Sequence, residues 1–127
     1  MIPHGAKPGD ILGVQMPFYM HKGILFPDRR VLHASKEKGR VVLDTVRDFS
    51  EGRRIRALGY PGRLTPSQVL SRGLELHGQR YRLIQSNCEH LVAHAHGLPK
   101  SSPQLNAWLV VGVVGVTAAA IIRRRLA

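Results

Sequence analysis

One cysteine is the residue of this sequence best suited to covalent chemistry. Cys88 is the single cysteine of the 127-residue chain, and it follows Ser86 and Asn87 at the predicted start of a helix. The free N–H groups and positive potential of a helix start favour a thiolate over a thiol, and the same groups would hold an oxyanion beside the sulfur. Without partners, however, a lone cysteine is most often a small buried packing residue.

Two histidines are the candidate partners of this cysteine. His21 and His33 fall on the two strands of a predicted β-hairpin, and their separation of 12 residues can place both rings on one face of the sheet. A thiol nucleophile requires a base beside the sulfur and a second polar group that orients the base. Tyr19 lies two residues before His21 and would point to the same face, where it either donates to the oxyanion or packs. These residues predict a cysteine nucleophile.

The histidines that follow Cys88 allow a different interpretation. His90 and His94 are four residues apart, so they share a helix face at a spacing that suits zinc. The sequence offers no carboxylate of matching spacing, so we predict neither a metal nor any other cofactor. His90 is instead assigned to packing or hydrogen bonding just behind the nucleophile. Asn87 is interpreted as the helix cap, and Glu89 as a carboxylate in the first turn.

Composition and charge limit the classes of protein and partner. A chain of 127 residues that is 43% hydrophobic has room for one compact domain. Its formal net charge of +11 indicates an anionic partner surface, either phosphate-rich lipid or nucleic acid. The basic residues are scattered and no recognisable nucleic-acid-reading motif accompanies them, so we expect no nucleic-acid partner. Residues 1–10 are polar and lack the pattern of an export signal, which favours a cytosolic domain.

The C-terminal part of the sequence has a different character. Residues 107–122 are all apolar or small except Thr117, and three arginines end the run. Sixteen helical residues cover roughly 24 Å, slightly less than the ~30 Å hydrocarbon core, and snorkelling arginines would extend the reach. We therefore predict a single-pass membrane helix over residues 105–125, with Gly112 and Gly115 on a face suited to self-association. The alternative is a buried C-terminal core helix.

Strand and helix patterns alternate in the part of the chain before this segment. Thr65, followed by Pro66 and by Gln68, resembles a capping box that begins a helix. The pattern predicts an α+β domain over residues 1–98, with an antiparallel sheet packed on two helices, and a linker over residues 99–104. The predicted strands cover residues 11–14, 21–26, 30–34, 40–46, 54–58 and 81–84, and the predicted helices cover residues 65–77 and 87–97.

Four motifs in a fixed order resemble a known family. They are Lys7-Pro8-Gly9-Asp10, Pro17-Phe18-Tyr19-Met20-His21, Val31-Leu32-His33-Ala34 and Ser86-Asn87-Cys88-Glu89-His90-Leu91-Val92. Together they resemble the lecithin:retinol acyltransferase (LRAT) family, most closely its HRAS-like suppressor branch of phospholipid acyltransferases and phospholipases. The resemblance covers nearly the whole chain. It implies a circularly permuted papain-like fold related to NlpC-type peptidases, with a C-terminal membrane helix.

The resemblance also implies roles for three residues. His21 would be the base, His33 would orient it, and Cys88 would form an acyl-thioester with an acyl group from a lipid of the phospholipid membrane. The acyl group would then pass to water or an amine. Lys22 departs from the family pattern, in which an aromatic residue commonly follows the base histidine. This departure leaves substrate identity, and transfer versus hydrolysis, open. A papain-like peptidase or amidase and a non-catalytic membrane-binding scaffold are the alternative functions.

Overall fold

The structure is a computed structural model that describes residues 1–80 and 84–99, with the side chains of residues 84–87 excluded. These residues form a five-stranded antiparallel sheet in the order β4-β3-β2-β1-β5, with three helices, which confirms the predicted α+β class. The elements are β1 (Ile11–Gln15), β2 (Met20–Leu25), β3 (Val31–Ser35), β4 (Arg40–Asp44), α1 (Val46–Ser50), β5 (Ile55–Gly59), α2 (Pro66–Leu74) and α3 (Ile84–His96).

The predicted membrane helix over residues 105–125 lies outside the described residues, as does most of the predicted linker. Within the described ranges, no helix has the length and apolar content needed to cross a membrane.

Side chains along each strand alternate between the two faces of the sheet, so the hydrophobic core forms two clusters on opposite faces. Ile24 and Leu32 belong to the cluster that contains Val69 of α2 and Leu91 of α3. Their chain neighbours Leu25 and Val31 belong to the other cluster, which contains Phe49 of α1. Because side chains of successive strand residues point to opposite faces, one face of the sheet packs against α2 and α3 and the other against α1.

A glycine in β2 allows α1 to pack closely on the sheet. A Cβ atom at Gly23 would lie 2.6 Å from Val31 Cγ1, 2.9 Å from Phe49 Cε1 and 2.9 Å from the Leu32 carbonyl oxygen. The Phe49 ring therefore occupies space that any larger residue at position 23 would need. Phe49 is fully buried, so this contact fixes where α1 lies on the sheet.

Helix α1 is the element that the sequence analysis missed. The strand predicted over residues 40–46 ends at Asp44, because Thr45 caps α1 by accepting a hydrogen bond from the Asp48 N–H. The spacing of Thr45 and Asp48 is a usual N-cap pattern, and it was the signal available in the sequence.

The other two helices differ from prediction at their ends. Thr65 and Gln68 form the expected capping box of α2, which ends at Leu74. The apolar side chain of Leu74, at the last position of α2, is 45% exposed. Helix α3 begins at Ile84, not near residue 87, so the predicted strand over residues 81–84 is wrong at Ile84. At the far end of α3, His96 Nε2 lies 2.8 Å from the Gly9 carbonyl oxygen and ties the helix to the start of β1.

We predict that Gly23→Ala lowers the free energy of unfolding by about 1–3 kcal/mol, because the new methyl group overpacks the contact with Phe49 and with the β3 backbone. Gly13→Ala on β1 is the matched control, since its methyl group would meet the Leu58 and Met20 side chains, which can rotate away. Denaturant unfolding of the two variants measures the difference. Equal losses at both positions would contradict a specific role for the Gly23–Phe49 contact.

Candidate active site

A chain of hydrogen bonds crosses three neighbouring strands from His21 to Asp44. His21 Nε2 and His33 Nδ1 are 2.9 Å apart, and His33 Nε2 and Asp44 Oδ2 are also 2.9 Å apart. The strand register explains the geometry: Gly23 pairs with His33, and Val42 pairs with His33 on the other side. His21 and Asp44 each lie two residues from those partners, so both are diagonal neighbours of His33 on the same face. The prediction that the two histidines lie side by side is confirmed.

The direction of these hydrogen bonds determines the tautomer of each histidine. An ionised Asp44 only accepts hydrogen bonds, so His33 carries its proton on Nε2. The Nδ1 atom of His33 then accepts from His21, which carries its own proton on Nε2. His21 Nδ1 is left with a lone pair, and this buried atom makes no hydrogen bond within the described structure. The network thus assigns a neutral imidazole with a free basic nitrogen to position 21.

Burial keeps both histidines neutral. Their rings lie with centroids 5.3 Å from that of Phe49, which covers them from α1. Burial, reinforced by His33, lowers the pKa of His21 to about 4. Burial also lowers the pKa of His33, against the opposing hydrogen bond to Asp44.

The Asp44 carboxylate, at the end of this series of hydrogen bonds, stays ionised. Lys38 Nζ donates to Asp44 Oδ1 over 2.5 Å, and His33 donates to the other oxygen. Burial alone would raise the pKa of Asp44, but these hydrogen bonds outweigh it and lower that pKa below its usual value. An anionic acceptor is therefore available to His33 throughout the neutral range.

The edge of β2 nearest to α3 has main-chain groups that β3 does not use. The Leu25 N–H bonds to Asp10 on the β1 side, whereas the Phe26 N–H bonds to Arg30 on the β3 side, so even-numbered residues of β2 direct their main-chain groups towards β3. In the described structure the ladder between β2 and β3 covers residues 23–25 alone. The Met20 carbonyl group and the Lys22 N–H group, which precede this ladder, are therefore available to α3.

Cys88 occupies this edge. Its Sγ donates to the Met20 carbonyl oxygen over 3.6 Å, and the Lys22 backbone N–H donates to the sulfur. These two groups belong to the residues on either side of His21 in the chain. The structure thus brings the predicted nucleophile against the strand segment that carries the predicted base, although the two residues are 67 positions apart in the sequence.

The electrostatic state of Cys88 differs from the expectation. The sulfur is fully buried, and burial raises the pKa of Cys88 to about 11, so the resting group is a thiol. Because α3 begins at Ile84, Cys88 is the fifth residue of the helix and its amide follows the four free N–H groups. The predicted thiolate at the helix start is therefore wrong, and so is the prediction that Asn87 caps the helix. The Asn87 side chain lies outside the described atoms.

Of two further predicted site residues, Tyr19 lies where it was expected and His90 does not. Tyr19 is half-buried with its ring centroid 6.1 Å from that of His21, on the expected face. Burial, followed by the electrostatic effect of Cys88, raises the pKa of Tyr19. His90 is exposed, so it does not pack behind the nucleophile as predicted. His94 bonds to Glu75, the C-cap of α2, over 2.7 Å, yet the described residues contain no group of three or more side chains arranged to hold a metal.

A buried ion pair joins the neighbours of the base and the nucleophile. Lys22 Nζ and Glu89 Oε2 are 2.7 Å apart, with 5% and 9% of the two side chains exposed. Lys22 follows His21 on β2, and Glu89 follows Cys88 on α3, so the pair connects the two elements at the site. Lys22 departs from the family pattern, but its partner was not predictable from the sequence, because residues 67 positions apart have no local signal of contact.

This ion pair predicts opposite effects of two single substitutions on the Cys88 thiol. Glu89 raises the pKa of Cys88 and Lys22 lowers it. We expect Lys22→Met to raise that pKa and Glu89→Gln to lower it, as measured by the pH dependence of Cys88 alkylation. Each substitution also leaves an uncompensated buried group, at a cost of about 3–5 kcal/mol in unfolding free energy.

The double variant Lys22→Met/Glu89→Leu is the matched control, because it removes both charges and keeps apolar volume. It should recover most of the lost stability and return the thiol pKa close to the wild-type value. Shifts of the thiol pKa in the same direction for both single variants would contradict an electrostatic role for the pair.

The sequence matches the model of a known protein family. The family model described as lecithin retinol acyltransferase matches residues 4–97, which is most of the chain and includes Cys88 and the whole hydrogen-bond chain from His21 to Asp44. No curated protein matches the sequence closely enough to serve as a relative. The match nevertheless extends over well more than half of the sequence, and this chain belongs to the lecithin:retinol acyltransferase family.

Proposed function

We propose that this protein is a thiol-dependent acyltransferase or hydrolase that takes an acyl group from a phospholipid ester onto Cys88. The observation that carries the proposal is the hydrogen-bond chain through His33 to Asp44, which leaves a basic nitrogen free on His21. Family membership supports acyl transfer as the chemistry. We also propose that the fold is a circularly permuted papain-like domain, in which the base precedes the nucleophile in the chain.

The first step is attack of the sulfur on the ester carbonyl. The thiol proton moves from Cys88 Sγ to His21 Nδ1 while the new S–C bond forms and the carbonyl electron pair moves onto oxygen. The pKa values of about 11 for the thiol and about 4 for the imidazole make a resting thiolate–imidazolium pair unfavourable, so proton transfer accompanies attack. The positive charge that develops on His21 is stabilised by His33 and, through it, by the Asp44 carboxylate.

The second step is loss of the alcohol. Free N–H groups of the first turn of α3 and the Tyr19 hydroxyl are the candidate donors to the oxyanion. When the tetrahedral intermediate collapses, the C–O bond breaks and the leaving oxygen takes the proton from His21 Nδ1. The product is an acyl-thioester on Cys88. Water or an amine then attacks the thioester, gives its proton to His21, and the sulfur recovers that proton as it leaves.

Two features favour a lipid substrate over a peptide. The formal net charge of +11 attracts anionic headgroups to the protein. The predicted membrane helix over residues 105–125 would keep the site at a bilayer, from which a soluble peptide substrate gains nothing. Membrane attachment with a cytosolic catalytic domain is accordingly part of the proposal, as is self-association of the helix through Gly112 and Gly115.

We expect Cys88→Ala to abolish acyl release from a phospholipid with two different acyl chains.

Asp44→Asn should lower turnover by ~10²–10⁴-fold, because the asparagine oxygen would stay with Lys38 and its NH₂ group would donate to His33. That donation reverses both tautomers and places a proton on His21 Nδ1. Asp28→Asn is the matched control, since Asp28 is an exposed carboxylate bound to Arg30 in a distant turn.

Intact-protein mass spectrometry during turnover tests the intermediate. The proposal predicts a hydroxylamine-labile acyl adduct on Cys88 with the phospholipid substrate. Cleavage of peptide amides without phospholipid turnover would show that the protein is a peptidase and not a lipid acyltransferase or hydrolase. Phospholipid turnover that survives Cys88→Ala, or a wild-type protein that binds vesicles without turning over lipid, would overturn the proposal.

A further inference from the structure

The end of the sheet that carries Cys88 also carries an exposed aromatic ring. Phe18 is 93% exposed and lies in the turn from β1 to β2, beside Tyr19. Cys88 contacts Met20, the first residue of β2, at this same end. The far end of α3 is tied to Gly9, before the start of β1, at the opposite end of the sheet. The exposed ring and the nucleophile therefore share one end of the domain, which we call the site end.

The other loops at the site end are basic. Because neighbouring strands are antiparallel, the turn from β3 to β4 and the start of β5 lie at the same end as the turn from β1 to β2. Lys38 is committed to Asp44. The remaining exposed charges of these loops are four basic residues and two acidic residues, namely Lys36, Arg40, Arg53, Arg54, Glu37 and Glu51.

Two arginines at this end face each other directly. Arg40 and Arg80 form an isolated antiparallel bridge, and both are exposed. Like charges at directly opposed positions are unfavourable, so the pair concentrates positive potential at a cost in stability. An anionic ligand between the two guanidinium groups would remove that cost.

We propose that the site end is a docking surface for an anionic phospholipid bilayer, with Phe18 inserted among the acyl chains and the arginines on headgroup phosphates. An exposed aromatic residue flanked by cations is the pattern of interfacial binding. Because Phe18 and Cys88 share this end of the domain, docking would bring the lipid esters close to the residues around Cys88. The inference deepens the proposed function and rests on it for the identity of the substrate.

The experiment must report on position 18 itself and not on binding of the whole protein to vesicles, because residues 107–122 are apolar enough to hold the full chain on any vesicle. Phe18→Trp is made in the full chain with Trp108→Phe, which removes the single native indole, and with Cys88→Ser, which stops turnover. Phosphatidylcholine vesicles with phosphatidylserine and brominated chains are added. The indole at position 18 should shift to shorter emission wavelengths and be quenched. Pro27→Trp, in the turn at the opposite end, is the matched control and should remain unquenched.

A second arm tests the charges. Arg53→Gln/Arg54→Gln should lower the docking equilibrium constant on the vesicle, which is the ratio of quenched to unquenched indole at position 18, by about 30-fold. Arg29→Gln/Arg47→Gln removes two exposed charges elsewhere and should change it less than about twofold. Quenching that is equal in pure phosphatidylcholine vesicles, or equal at position 27, would overturn the docking surface. A blue shift produced by a single-stranded oligonucleotide without vesicles would assign the surface to nucleic acid instead.

The two proposals fail separately. Turnover is measured in the Phe18→Ser variant with Cys88 intact, while docking is measured with Cys88→Ser. If the indole at position 18 is quenched but the wild type turns over no phospholipid, the docking surface stands and the proposed enzyme activity fails. If the wild type turns over phospholipid but the indole at position 18 is not quenched, the enzyme activity stands and the docking surface fails. If both proposals hold, Phe18→Ser should lower turnover on anionic vesicles by more than tenfold and leave turnover of a water-soluble short-chain ester unchanged.

Discussion

The hydrogen bond from His33 to the carboxylate of Asp44 is the interaction on which the site depends. An ionised carboxylate cannot donate, so the proton of His33 must lie on Nε2, and the proton of His21 must in turn lie on its own Nε2. The free nitrogen of His21 is a consequence of a charge two strands away. Lys38 holds that carboxylate from the other side, and Phe49 excludes water from both rings.

The fold serves this chain of groups in two ways. The sheet places His21, His33 and Asp44 on diagonal positions of one face, and Gly23 leaves room there for the Phe49 ring. The other face packs against α3, which brings Cys88 to the β2 edge where the ladder to β3 has ended. The thiol is buried and neutral, so the proposed attack relies on His21 as the base and not on a preformed thiolate. The Lys22–Glu89 pair fixes the two elements against each other at that point.

Local signals were enough for part of this arrangement. The hairpin that places His21 beside His33 and the Thr65 capping box were predictable because turn and cap patterns are contained in a few neighbouring residues. The role of Asp44 was not, because it depends on the register between β3 and β4. The raised pKa of Cys88 was missed for a related reason: burial comes from the whole fold, and it outweighs the helix-start effect that the sequence predicted.

The most direct test of the central claim is the position of the proton on His21. Nitrogen-15 NMR of the histidine rings at pH 7 distinguishes a protonated from an unprotonated ring nitrogen. In the wild type we expect His21 and His33 both to carry their protons on Nε2, with His21 Nδ1 unprotonated. In Asp44→Asn we expect both protons to move to Nδ1. A proton on Nδ1 of His21 in the wild type, or tautomers that do not respond to Asp44→Asn, would contradict the assignment of the free nitrogen to the Asp44 carboxylate.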